Sequence, residues 1–192
     1  MAFVIGHVLL MCHRDVCGAG LKLEWLFAIK PMFSNLQFVQ ALRPFEQPQD
    51  GCYKTERHFL DFVVDKISLY GAIKAKNVDN ISPFWIGSDV PEPMKEVGIK
   101  SAQRLMLIGP ADFPNNRRSL FICAECGDLS CGAISIIVES SNNAFVWRDF
   151  GYENDWEGKV LTEPYSDLGP FTFRSGEYVS ALDDVVRQIQ HV

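Results

Sequence analysis

The residues most capable of chemistry in this sequence are three cysteines in one short stretch. Cys123 and Cys126 are separated by two residues and followed by a glycine, and Cys131 adds a third thiol. Cys-x-x-Cys-Gly is typical of half a zinc site, but structural zinc usually has four ligands. The other pair, Cys12 and Cys17, has the wrong spacing for a second half. We therefore expect structural cysteines and no cofactor, with zinc at Cys123, Cys126 and Cys131 as the alternative.

The sequence does not indicate a catalytic residue. A redox Cys-x-x-Cys opens a helix whose N-terminus lowers the thiol pKa, whereas this motif leads into Gly-Asp and a predicted strand. None of the four histidines stands in a recognisable catalytic frame, and no glycine-rich phosphate loop follows a strand. A binding protein is favoured. The alternative is a small metal- or thiol-dependent, oxidoreductase-like enzyme using Cys123, Cys126 and Cys131.

An acidic, aromatic run at 149–167 contains six carboxylates against one lysine, with Tyr152 and Trp156 among them. Aromatic side chains anchor protein interfaces, and carboxylates pair with Lys and Arg. The run therefore predicts a surface for a basic protein partner, with a solvated loop as the alternative. Trp147 and Phe150 continue a strand and are expected in the core. The predicted partner-binding residues are Asp149, Tyr152, Glu153, Asp155, Trp156, Glu157 and Glu163.

Charge and hydropathy narrow the class of protein. The 192 residues carry a net charge of −6, and residues 120–192 contain 12 Asp and Glu against 4 Lys and Arg. Nucleic-acid binding needs clustered basic residues, so it is not expected. The apolar residues 1–11 are too short to span a membrane and lack a basic start, which predicts a cytoplasmic protein without membrane contact, with a signal peptide as the weaker alternative. Residues 1–20 are expected to form an arm or edge strand.

The elements that position these residues follow from hydrophobic periodicity. Three antiparallel strands are predicted as a meander over 119–149. A final helix capped by Ser175 has a stripe at Tyr178, Leu182, Val185 and Ile189 that should pack on the sheet. The sequence thus predicts one α+β domain over 1–192, built mainly on an antiparallel sheet.

Further elements are predicted along the rest of the chain. They are a strand at 21–27, two helical turns at 35–42, a hairpin at 58–72 turning at Asp65-Lys66, a short helix at 94–98, a strand at 101–108, a surface loop at 109–118 and a short strand at Phe171 and Phe173.

Three motifs carry a resemblance to a known family. They are RSLFICAECGDLSCGA at 118–133, VWRDFGY at 146–152 and LGPFTF at 168–173. In this order they resemble a widespread family of small, poorly characterised bacterial proteins. Members are often described only as oxidoreductases, which provides no catalytic residue to carry over. The N-terminal third departs from that family's pattern.

In general character the chain is also similar to immunity proteins of contact-dependent growth inhibition systems. These are small, often acidic, cytoplasmic proteins that bind and block one toxin domain, commonly a nuclease. The resemblance implies a protein that neutralises a cognate toxin by covering its active site. A structural subunit docking through residues 1–11 is a further alternative.

Overall fold

The computed structural model describes residues 33–47, 53–141 and 143–191. The predicted arm at 1–20, the strand at 21–27 and the cysteines Cys12, Cys17 and Cys52 lie outside these residues. The described strands are Leu36–Arg43 (β1), Arg57–Val64 (β2), Ile67–Ser68 (β3), Asn80–Ile81 (β4), Arg117–Cys123 (β5), Ala133–Ser141 (β6), Ala144–Glu153 (β7) and Phe171–Arg174 (β8). The described α-helices are Leu69–Lys74 (α1), Glu92–Leu105 (α2) and Ser175–Gln190 (α3).

The strands form two antiparallel sheets, which confirms the predicted α+β class. One sheet has the order β1-β2-β3 and the other the order β4-β5-β6-β7-β8. The predicted meander is confirmed as β5, β6 and β7, paired in sequence. The predicted strand at Phe171 and Phe173 is β8, and it pairs with β7. The whole region around the cysteines and the acidic run is therefore attached to one sheet.

An aromatic core joins the two sheets. The ring of Phe62 in β2 lies 5.4 Å from the ring of Phe121 in β5 and 5.6 Å from that of Trp147 in β7. Helix α3 packs on this core, and its predicted stripe of Tyr178, Leu182, Val185 and Ile189 is confirmed as buried. The Tyr178 hydroxyl accepts from the Trp147 indole N–H at 2.9 Å, which fixes the helix on β7. Ser175 is the first helical residue rather than a side-chain cap.

Two local predictions were wrong. The predicted helical turns at 35–42 are instead strand β1, because residues 36–43 pair with β2 over eight positions and tertiary pairing overrides local propensity. Residues 101–105 belong to helix α2 instead of a strand. The buried residues of α2, Gly98, Ser101, Ala102 and Leu105, follow helical spacing. Pro93 is tolerated because N–H groups in the first turn of a helix have no hydrogen-bond acceptor within the helix, so the missing N–H of proline costs nothing there.

The predicted hairpin turn at Asp65-Lys66 is confirmed. Both residues have positive φ (51° and 72°), as a tight hairpin turn of this hand requires. The second arm is only β3, two residues long, because the Ser68 hydroxyl accepts the Gly71 N–H at 2.9 Å and starts α1. None of the helices in the described part of the chain is long and apolar enough to cross a membrane.

Candidate functional site: the cysteine loop and the acidic loop

The cysteine loop, residues 123–132, connects β5 to β6. The Gly127 N–H donates to the Cys123 carbonyl at 3.0 Å, closing the Cys-x-x-Cys turn. Gly127 has φ +70° and Gly132 has φ +97°, which other residues rarely adopt. A Cβ on Gly132 would lie 1.9 Å from the Tyr152 hydroxyl oxygen. The loop therefore needs glycine at both positions to bring its cysteines together.

The three thiols of this loop converge. Their Sγ atoms lie within 4.8 Å of one another, and Sγ of Cys126 lies 3.6 Å from Sγ of Cys131. Tetrahedral coordination with metal–sulfur bonds of about 2.3 Å spaces sulfur atoms about 3.8 Å apart. Cys126 and Cys131 are exposed and Cys123 is half-buried, so burial does not explain the cluster. The geometry is one that could bind a metal ion.

The environment separates the pKa values of the Cys123 and Cys131 thiols. Partial burial opposes ionisation of Cys123, but hydrogen bonds from the backbone N–H groups of Cys126 and Glu125 prevail and lower the pKa of its thiol. The pKa of Cys131 is raised to about 12, first by its contact with the Cys126 thiol and then by the nearby Cys123 charge. Of these two thiols, Cys123 therefore ionises more readily.

A buried arginine anchors the cysteine loop to β1. Arg43 is 4% exposed, and its Nη1 donates to Glu125 Oε1 at 2.7 Å. The backbone N–H of Thr55 donates to the same oxygen at 3.0 Å. Nη2 of Arg43 also donates to Asp79 at 2.6 Å. Sequence reasoning missed this network, because its members are far apart in the chain.

The acidic loop, residues 153–160, follows β7. The backbones of Tyr152 and Leu161 exchange two hydrogen bonds, at 3.0 and 2.9 Å, which closes the loop. Trp156 lies in its turn and is 69% exposed. Its indole N–H donates to the Ser130 carbonyl at 3.1 Å, and the Tyr152 hydroxyl donates to the Cys131 carbonyl at 3.3 Å. The cysteine loop and the acidic loop are therefore one contiguous surface.

Glu153 does not belong to that surface. The sequence placed it among the partner-binding carboxylates, but its side chain is only 5% exposed and pairs with Arg117 at 2.7 Å. Arg117 also donates to the Asp149 carbonyl at 2.7 Å. The Ser135 hydroxyl completes the cluster by bonding Glu153. Arg117 and Arg118 were expected in a surface loop, yet both lie buried in β5. Sequence alone gave no sign of this buried pair.

The other predicted carboxylates are exposed. Asp155, Glu157 and Glu163 have no ion pair with any residue that the structure describes, whereas Asp149 pairs with its neighbour Arg148. Asp149 and Glu163 line one groove of about 420 Å³. The structure thus brings Asp155, Trp156 and Glu157 together on the acidic loop, with half-buried Tyr152 at its base and Asp149 and Glu163 in the groove.

The strand aromatics behave as expected. Trp147 and Phe150 are buried in the core, at 0% and 2% exposure. His58 is exposed and lies 3.3 Å from Glu56. It does not belong to the group formed by Cys123, Cys126 and Cys131.

Comparison of the chain with family models, curated proteins and solved structures found no match. The resemblance to small bacterial proteins and to immunity proteins stays a prediction.

Proposed function

We propose that this protein is a binding protein that docks on a basic protein partner through the surface formed by Asp155, Trp156 and Glu157, with Asp149, Tyr152 and Glu163 at its edge. The observation that carries the proposal is the exposed Trp156, held in place by Ser130 and flanked by two carboxylates. Exposed tryptophans dominate many interfaces, and a side chain that is already ordered loses less entropy on binding.

The acidic character of this surface and the general resemblance to immunity proteins favour a toxin domain as the partner. A nuclease toxin has a basic cleft for phosphate groups. Carboxylates at Asp155 and Glu157 would pair with that cleft and exclude the substrate, and their charge would speed association. An immunity protein of this kind acts in the cytoplasm of the cell that it protects.

If the gene directly upstream encodes a large secreted protein, the C-terminal domain of that protein is the candidate toxin domain for the test. The binding rate and affinity of the purified domain are measured against the wild-type protein and against Asp155→Lys/Glu157→Lys. We expect at least about tenfold weaker binding in this variant, mainly through slower association. Asp89→Lys/Asp183→Lys is the matched control, because it makes the same charge change at two exposed positions elsewhere.

Two results would contradict the proposal. Equal affinity and association rate for wild type and the Asp155→Lys/Glu157→Lys variant would remove this surface from the interface. Failure of the upstream domain to bind, or absence of such a domain, would remove the toxin as partner.

A second candidate function rests on the convergent thiols of Cys123, Cys126 and Cys131. It is a small zinc- or thiol-dependent enzyme, with Zn²⁺ as the metal because thiolates suit it. Elemental analysis of untagged protein tests the metal version, and less than about a tenth of an equivalent of zinc or iron counts against it. Activity that is insensitive to thiol alkylation counts against the thiol version.

A further inference from the structure

The cysteine loop has too few ligands for a closed metal site. Among the described residues its three thiols form a group without a fourth cysteine, histidine or carboxylate. A structural zinc site has four protein ligands, whereas a site with three protein ligands keeps a position open for water or another ligand. Four protein ligands would indicate a purely structural metal site, whereas three would leave a position where ligands can exchange.

The carboxylates of the loop itself are turned away to other contacts. Glu125 accepts hydrogen bonds from Arg43 and from the backbone and hydroxyl of Thr55. Oδ1 of Asp128 accepts the Ser130 N–H at 2.8 Å. Neither carboxylate belongs to the group of converging thiols.

The open position faces solvent. Cys123 is half-buried at the end of β5, while Cys126 and Cys131 are exposed. A cation held by all three sulfur atoms would thus have Cys123 on its inner side and water on its outer side. Three soft sulfur ligands select thiophilic metals such as Zn²⁺ over Mg²⁺ or Ca²⁺.

We propose that Cys123, Cys126 and Cys131 bind one thiophilic divalent cation of the Zn²⁺ type through three thiolates, with an exchangeable solvent ligand in the fourth position. The loop is already shaped for this role. The Gly127 N–H holds the turn, and Tyr152 and Trp156 hold the carbonyls of Cys131 and Ser130. The inference is independent of the docking proposal, because the metal needs no protein partner.

Cobalt(II) is the probe, because its absorption reports both thiolate ligation and coordination number. The reduced chain is titrated with Co²⁺ without oxygen, both as wild type and as Cys12→Ser/Cys17→Ser/Cys52→Ser. We expect one equivalent to bind in both, with the same sulfur-to-cobalt charge-transfer band and a tetrahedral visible spectrum. Added imidazole should shift the visible bands in both proteins, because it replaces the fourth ligand.

Cys131→Ser in the triple-serine background removes one of the three proposed ligands at an exposed position. The charge-transfer intensity should fall by about a third, and Co²⁺ affinity should fall at least about tenfold, since even the loss of a ligand's outer partner costs that much. Circular dichroism checks that the variant is folded, and Cys126→Ser serves as a second exposed replacement.

Three results would overturn the inference. The first is the absence of a thiolate charge-transfer band. The second is a band that persists after replacement of Cys131 and Cys126 together. The third is a wild-type spectrum that does not change when imidazole is added, whether or not the triple-serine spectrum responds, because a side chain of the protein would then fill the fourth position. None of these results depends on partner binding, so the docking proposal would be unaffected.

Discussion

The indole N–H of Trp156 donates a hydrogen bond to the carbonyl oxygen of Ser130 at 3.1 Å. The two residues lie on different loops, one after β7 and one between β5 and β6. This contact holds an exposed aromatic ring against the loop that carries the three converging thiols. The acidic loop and the cysteine loop therefore form one surface.

Trp156→Ala should weaken binding of the proposed toxin partner by about 2 kcal/mol or more, which is typical of an interface hot spot. The free energy of unfolding should change by less than about 0.5 kcal/mol, because the side chain is 69% exposed. Isothermal titration calorimetry and urea unfolding measure the two quantities. Trp156→Phe keeps an aromatic ring without the N–H and should fall between wild type and alanine. Unchanged affinity in the alanine variant would contradict the role given to this ring.

Gly132→Ala should destabilise the protein more than Gly158→Ala. Both glycines have positive φ, but a Cβ at Gly158 meets no atom within 4 Å, whereas at Gly132 it would overlap the Tyr152 hydroxyl. We expect a loss of about 1 kcal/mol at Gly158 from backbone strain alone and a larger loss at Gly132. Urea unfolding of the two variants measures the difference. Equal losses would show that Tyr152 does not pack against Gly132 as the structure has it.

Glu153→Gln should lower the free energy of unfolding by about 3 kcal/mol, because it leaves the buried Arg117 charge without its partner. The double variant Arg117→Met/Glu153→Met should lose less than the sum of Arg117→Met and Glu153→Met measured alone. Urea unfolding of wild type, the two single methionine variants and the double variant forms the cycle. A negligible effect of Glu153→Gln on the free energy of unfolding would contradict the burial of this ion pair, because only an exposed carboxylate can be replaced at so little cost.

Asp61 should give the stability a pH dependence that Asp61→Asn lacks. Burial raises the pKa of this carboxyl, although the Ser68 hydroxyl and the Tyr70 N–H donate to it. The native state therefore favours the neutral acid. Its contribution to stability is fully present below the unfolded-state pKa and is lost as pH rises through the folded-state pKa.

The free energy of unfolding of wild type minus that of Asp61→Asn should accordingly fall as the pH rises above about 4, the ordinary pKa of an aspartate. Chemical unfolding at a series of pH values measures this difference. If the difference in free energy of unfolding between the two proteins stayed constant with pH, hydrogen bonding alone would explain it, and the raised pKa would be contradicted. A difference that grows with pH would contradict the raised pKa.

Local sequence patterns correctly predicted the parts of the fold in which apolar residues recur at a regular spacing. The meander and the stripe at Tyr178, Leu182, Val185 and Ile189 are confirmed because alternation and helical spacing report directly on burial. Residues 35–42 and 101–105 were assigned to the wrong kind of element. The first segment became a strand by pairing with β2, and the apolar run that suggested a strand in the second begins at the end of α2.

The sequence predicted part of the candidate site. It identified Cys123, Cys126 and Cys131 and the exposed Trp156, because both features are local in the chain. It could not show that Trp156 contacts Ser130, since 26 residues separate them. The burial of Glu153 depends on Arg117, 36 residues away, and a carboxylate within an acidic run gives no local sign of such a partner.

Hydrogen–deuterium exchange of the protein with and without the proposed toxin partner tests the docking surface most directly. Peptides that cover 126–132 and 153–163 should exchange more slowly in the complex, while peptides from α3 should be unchanged. This pattern would place the partner on the cysteine loop and the acidic loop together. Protection of α3 or of the β1 edge, with 153–163 exchanging as in the free protein, would contradict the account.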